Sequence, residues 1–170
     1  MISDLEQVLP ALAEHRRTTA LAVAWPVIEE ALRVSLPEDY KEIIEFYPRF
    51  EMCDFFAIAG PRPGAEAIYA AAMITDLEDL REDFGDGVPH QPLADGSGLV
   101  PWGNSTSGDT YYWKFEHSKA TAVVTGSRDD AFWEFPGTLT QFLTGWLDGT
   151  VQPLGQPTID SLGGPRFALF

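Results

Sequence analysis

The chain has 170 residues and 45% hydrophobic content, enough to fill one core. Its 26 acidic residues against 11 Lys+Arg give a formal charge of −15, and Arg16-Arg17 is its only basic doublet. That balance excludes the basic clusters by which proteins hold nucleic acid, opposes contact with anionic membranes, and favours a basic protein partner.

Apolar residues at Ile2, Leu5, Leu9 and Leu12 predict a helix within residues 2–17, kinked or interrupted at Pro10. Thr18-Thr19 reads as a connector. Trp25-Pro26 opens a second helix with Ile28, Ala31 and Leu32 facing inward. Ser35-Leu36-Pro37-Glu38 has the spacing of a capping box and predicts a third helix from about Leu36 to Tyr47, ended by Pro48. Cys53, the only cysteine, lies among Phe50, Phe55 and Phe56 and reads as a small buried hydrophobe that can form no internal disulfide. Phe55 to Ala59 predicts a short strand closed by Gly60-Pro61-Arg62-Pro63-Gly64.

From Ala65 to Phe84 the period is helical again, with Met73, Leu77, Leu80 and Phe84 on one side and Gly85 as the C-cap. Asp76, Glu78, Asp79, Glu82 and Asp83, continued by Asp86, form an acidic surface balanced only by Arg81. Such a face reads either as the solvated side of an amphipathic helix or, because it is one-signed, as a candidate docking surface for a basic partner. Asp86 to Gly98 reads as a loop. A meander follows, with strands at Leu99–Trp102, Thr110–Phe115, Thr121–Thr125 and Ala131–Phe135. Tyr111, Trp113 and Phe115 alternate onto one face, with Tyr112 and Lys114 on the other. A last helix starts near Thr138, carries Leu139, Phe142, Leu143, Trp146 and Leu147, and stops at Gly149. The tail from Val151 reads as irregular.

Chemistry-bearing motifs are sparse. His15, His90 and His117 are far apart, and no metal-ligand spacing or phosphate loop occurs. Gly103-Asn-Ser-Thr-Ser107 misses the nucleophile-elbow pattern at its last residue and leads into a strand instead of a helix. Asp109 and Asp129-Asp130 could in principle serve a hydrolase as paired carboxylates, but their positions fit turn chemistry better. The expectation is therefore no catalytic residue, no metal and no cofactor. The start, Met1 to Glu6, lacks the features of a signal peptide, and the run Ala20 to Ile28 is too short to span a bilayer, which points to the cytoplasm.

Three blocks carry a family resemblance. Trp25 to Glu42, with Leu36, Pro37, Asp39, Tyr40 and Lys41, resembles the N-terminal motif of the SMI1/KNR4 (SUKH) superfamily. Leu99-Val-Pro-Trp102-Gly103-Asn104, followed by Gly108-Asp109 and the aromatic strand with Trp113, resembles its central motif. Thr138 to Gly149, with Phe142 and Trp146, resembles its C-terminal helix. The resemblance covers roughly residues 25–150 and departs at Pro48-Arg49-Phe50, where the family often has a Gly-rich turn. It implies one α+β domain over 1–170, with an antiparallel sheet of about 4–6 strands and helices packed on it. Residues 1–24 would be a helical extension and 151–170 an irregular tail. It also implies a non-enzymatic function: bacterial members are commonly immunity proteins that neutralise a cognate toxin, often a nuclease. Fungal relatives look like regulatory scaffolds.

Overall fold

The computed structural model describes residues 2–83, 90–126 and 132–169, with Asp83 described in its backbone only. Helices α1 (Ile2–Val8), α2 (Pro10–Ala13), α3 (Trp25–Leu32) and α4 (Glu38–Phe46) precede strands β1 (Phe50–Met52) and β2 (Phe56–Ile58). Helix α5 (Glu66–Asp83) leads to the meander β3 (Gly98–Ser105), β4 (Thr110–Glu116), β5 (Lys119–Gly126) and β6 (Phe132–Phe135). Helix α6 (Leu139–Asp148) and strand β7 (Phe167–Leu169) complete an α+β domain. The sheet has the order β6-β5-β4-β3-β2-β1-β7, antiparallel throughout. Its seven strands exceed the expected four to six. The excess comes from β1 and from β7, which the tail read as irregular contributes against β1.

The two faces of the sheet are unequal. Val100, Trp102, Tyr111, Trp113 and Phe115 join the main core, where Phe142 and Trp146 of α6 and Tyr40 of α4 meet them. The opposite face buries Leu99, Tyr112 and Val124 beneath Leu80 of α5 and Phe132 of β6. Ile2, Leu5, Leu9 and Leu12 enter the main core too, so the N-terminal helices, broken at Pro10 as expected, belong to the fold. Ala31 is exposed, contrary to expectation, and Trp25 takes the inner position on α3 with Ile28 and Leu32.

Two tight turns use non-glycine residues in left-handed conformation. Cys53 and Asp54, at φ 57° and 51°, turn β1 into β2, and His117 and Ser118, at φ 51° and 63°, turn β4 into β5. Among tight two-residue turns, mirror-image ones match the twist of paired strands.

The capping box expected at Ser35–Glu38 does not form. Helix α4 starts at Glu38, and no side chain caps it through Pro37. The reason lies in competing partners. The Ser35 N–H donates to the Ser118 carbonyl at 3.0 Å, the Leu36 N–H to Glu29 Oε1 at 2.8 Å, and Lys41 Nζ to Glu38 Oε1 at 2.8 Å. A capping box does form on α6, between Thr138 and Gln141. Asp39 links the two helix starts. Its Oδ1 accepts from the Tyr40 N–H, while Oδ2 accepts from the Thr140 N–H at 2.7 Å and the Thr140 hydroxyl at 3.1 Å. Asp39→Ala is expected to strand these donors and cost about 2 kcal/mol, read as a lower urea midpoint. Asp39→Asn keeps an acceptor and should lose about half as much.

Candidate protein-binding surface

Helix α5 forms where expected because Ala65 to Ala72 is rich in the strongest helix former and the Pro61–Gly64 turn launches it. Its first-turn Glu66 accepts the Ala24 N–H at 3.0 Å, which ties α5 to the entry of α3. That hydrogen bond holds the Glu66 carboxyl below its ordinary pKa. Ala70, Met73 and Leu77 are buried, and Leu80 is half-buried.

The outer face of α5 carries Asp76, Glu78, Asp79 and Glu82, all exposed and none in an ion pair among the described residues. Asp83 ends the helix; Phe84, Gly85 and Asp86 lie outside the described residues. Arg81, the one cation here, donates to the Leu93 carbonyl. This arrangement works against the helix itself. Asp76–Asp79 and Glu78–Glu82 stand three and four residues apart, where like charges repel. They occupy the C-terminal half, whose end carries the negative pole of the helix dipole and favours cations. A helix arranged for stability alone would place Lys or Arg here.

Beside this face, α5 and β3 enclose a groove of about 330 Å³. Asp76 and Asp79 stand on its helical wall; Tyr69, Met73 and Leu80 supply apolar surface, and Asn104 reaches it from the sheet. Burial, with Asp76 adding to it, raises the Tyr69 hydroxyl above its usual pKa, although Tyr40 and Arg49 pull the other way. The Tyr69 hydroxyl lies 2.9 Å from that of Tyr40, which donates to the Ala59 carbonyl at 2.8 Å. The groove suits an Arg or Lys side chain, with its stem on Met73 and Leu80 and its charged end between two carboxylates.

On the sheet side of the groove, β3 departs from regular pairing. Its register with β4 shifts between Pro101 and Gly103, a bulge at Trp102. Proline is tolerated at bulges, where no ladder N–H is required. Gly103 lies in the strand, not in the turn expected for it: a Cβ there would stand 2.7 Å from the Ala57 carbonyl oxygen of β2. The turn is formed by Thr106 to Asp109, and Gly108, at φ +90°, supplies the left-handed residue expected of it. Asp109 fastens that turn, since its Oδ2 accepts the Ser105 hydroxyl at 2.6 Å.

The remaining chemical candidates are similarly engaged. Cys53 is buried, and burial raises its thiol pKa. His90 packs edge-on against Phe132, and its pKa is lowered by burial despite Glu134 at 4.0 Å. No group of three or more His, Cys, Asp or Glu among the described residues is placed to hold a metal ion. Asp129 and Asp130 lie outside the described residues. Leu36 and Tyr40 are buried at the start of α4, and Trp102, Trp113, Phe142 and Trp146 fill the core. Pro37 precedes the first turn of α4. No helix among the described residues is long and apolar enough to cross a membrane.

No protein-family model, curated protein or solved structure matches the chain.

Proposed function

We propose that this protein is a non-enzymatic binding protein that docks a basic protein partner on the exposed face of α5 and its groove. In the fullest form of this reading it is a cytoplasmic immunity protein, and the partner is a toxin whose active site or substrate groove it occludes. The observation that carries the reading is the set of carboxylates Asp76, Glu78, Asp79 and Glu82, without an ion pair among the described residues and held where they cost helix stability. Nuclease grooves are basic because they hold phosphates, so such a face competes there directly. The resemblance of the three sequence blocks to a superfamily rich in immunity proteins supplies the toxin.

Co-expression with effectors encoded beside the gene tests the toxin, and two charge reversals test the face. Glu78→Lys with Glu82→Lys, on the outer surface, should slow association by about tenfold at low salt while leaving thermal unfolding unchanged. Asp76→Lys with Asp79→Lys, in the groove, should also accelerate dissociation. Unchanged affinity in the fourfold variant would overturn the docking face. Protection against no neighbouring effector would overturn the immunity reading, and a lone housekeeping locus would instead favour a regulatory scaffold.

A further inference from the structure

The outward side of α5 changes character halfway along. Between Ala65 and Thr75 the one charged residue is Glu66, which is buried and tied to the entry of α3. The exposed positions of that half, Ala67, Ile68, Ala71, Ala72, Ile74 and Thr75, are all uncharged, and Ile68 is 74% exposed. We propose that this face pairs with the same face of a second copy of the chain, the two α5 helices running antiparallel about a two-fold axis at Ala71.

The apolar stripe is the first argument. Ala67, Ile68, Ala71, Ile74 and Thr75 recur at three- and four-residue spacing, on the side of the helix away from Met73 and Leu80. Ala31 of α3 lines one concavity with Ile74, and exposed Val27 lies one turn before Ala31, so the apolar surface continues onto α3. Alanine at 67 and 71 lets a second helix approach closely. An apolar surface shared by two packed helices is of the kind that a protein contact covers.

Charge complementarity selects a second copy as the occupant. In a two-fold antiparallel pair, residues equally far before and after Ala71 face each other. Ile68 then meets Ile74, and Ala67 meets Thr75. Glu78 and Glu82 continue the same stripe and reach the start of the second copy's α5. The turn that launches that helix carries exposed Arg62, whose carbonyl accepts the Ala65 N–H at 2.9 Å. Two-fold symmetry makes this match twice. The carboxylates, which oppose the negative pole of their own helix, also come to lie at the positive pole of the other. A parallel pair would set carboxylates against carboxylates. One helix pair and its flanks fall below the ~1,200–2,000 Å² of standard stable interfaces, so the dimer forms at about 10–100 μM. This pairing needs no basic partner. It shares Glu78 and Glu82 with the proposed docking face, so a partner held there and a second copy exclude each other.

Sedimentation velocity of the full chain, from about 5 to about 500 μM, tests the proposal. Salt of about 0.15 M screens the −15 charge of each copy at long range while close pairs persist. The unaltered chain should pass from monomer to dimer within that range. Ile68→Glu should raise the dissociation constant about tenfold or more with unchanged circular dichroism. Arg62→Glu should raise it about threefold or more, and so should Glu78→Arg with Glu82→Arg. Combining all three changes should bring it back to within about twofold of the unaltered chain. Ala71→Cys should form a disulfide-linked dimer on mild oxidation, whereas Ala72→Cys, turned about 100° around the helix, should not. Native Cys53 is buried and does not interfere. The proposal is overturned if the chain stays monomeric to about 500 μM, or if Ile68→Glu dimerises as well as the unaltered chain. It is overturned too if the combined variant associates no better than its component charge changes, or if Ala72→Cys links as readily as Ala71→Cys.

Discussion

Raising the pH above 10 is expected to unfold this protein over a narrow interval. Tyr40, Tyr47, Tyr69 and Tyr111 all have hydroxyl pKa values above the ordinary 10.0, and burial is the largest cause for each. Tyr47, which donates to Glu6, is pushed up to about 12. Tyr111 donates to Gln156 Oε1 at 2.8 Å, and Tyr40 to the Ala59 carbonyl. Below pH 10 these hydroxyls are protonated in both the folded and unfolded chain, and their contribution is fully present. Above it the unfolded chain ionises while the folded one holds its protons, so the unfolded state binds fewer protons and stability falls as pH rises. Each tyrosine can contribute up to about 1.4 kcal/mol per pH unit, so four approach about 5 kcal/mol per unit, against a total stability of roughly 5–15 kcal/mol. Urea midpoints measured from pH 8 to 12 should be level at first and then drop steeply between about pH 10 and 12. Tyr47→Phe should make the drop shallower by about one proton. A midpoint that stays level to about pH 11.5 would contradict burial of these hydroxyls.

The second large effect is at Trp102. Its indole is fully buried, and its ring centroid lies 5.2 Å from Tyr111, 6.1 Å from Trp113 and 6.2 Å from both Phe56 and Phe142. It therefore joins β2, β4 and α6 through one side chain. Trp102→Ala removes those contacts and leaves a cavity that rigid strands on either side cannot close, a loss of about 3–5 kcal/mol. Trp102→Phe keeps a ring in the same place and should lose roughly 1–2 kcal/mol. Chemical denaturation of both variants checks the order. A loss below about 1 kcal/mol for the alanine variant would mean that the aromatic cluster is not the keystone of the core.

The elements that were legible in the sequence are those whose signal is local and long. The alternation of Tyr111, Trp113 and Phe115 marks β4 and the inner face of the sheet. The 3.6-residue period of Met73 and Leu77 marks α5, and with it the acidic face. Strands β1 and β7 escaped for a physical reason: each has three residues, too few for alternation to show, and β7 exists only because β1 is available to pair with it. The Cys53-Asp54 turn carries none of the glycine that normally marks a mirror-image turn. Ser35-Leu-Pro-Glu38 misled in the opposite way, because its groups are claimed by Glu29, Ser118 and Lys41, residues that only the fold brings near. The groove beside the acidic face required the same tertiary knowledge.

The pairing of β7 with β1 also orders events during synthesis. Strand β1 leaves the ribosome well before the neighbour that covers its outer edge, which follows it far along the chain. Until then Phe50 lacks the edge-on contact of Phe167, and the β1 backbone offers free donors and acceptors to any extended chain nearby. The hairpin of β1 and β2 can form at once, but the β1–β7 pairing must await a contact between segments far apart in sequence, the slowest kind to make. The short length of β1 limits that exposure, because three residues are a poor template for a stray strand.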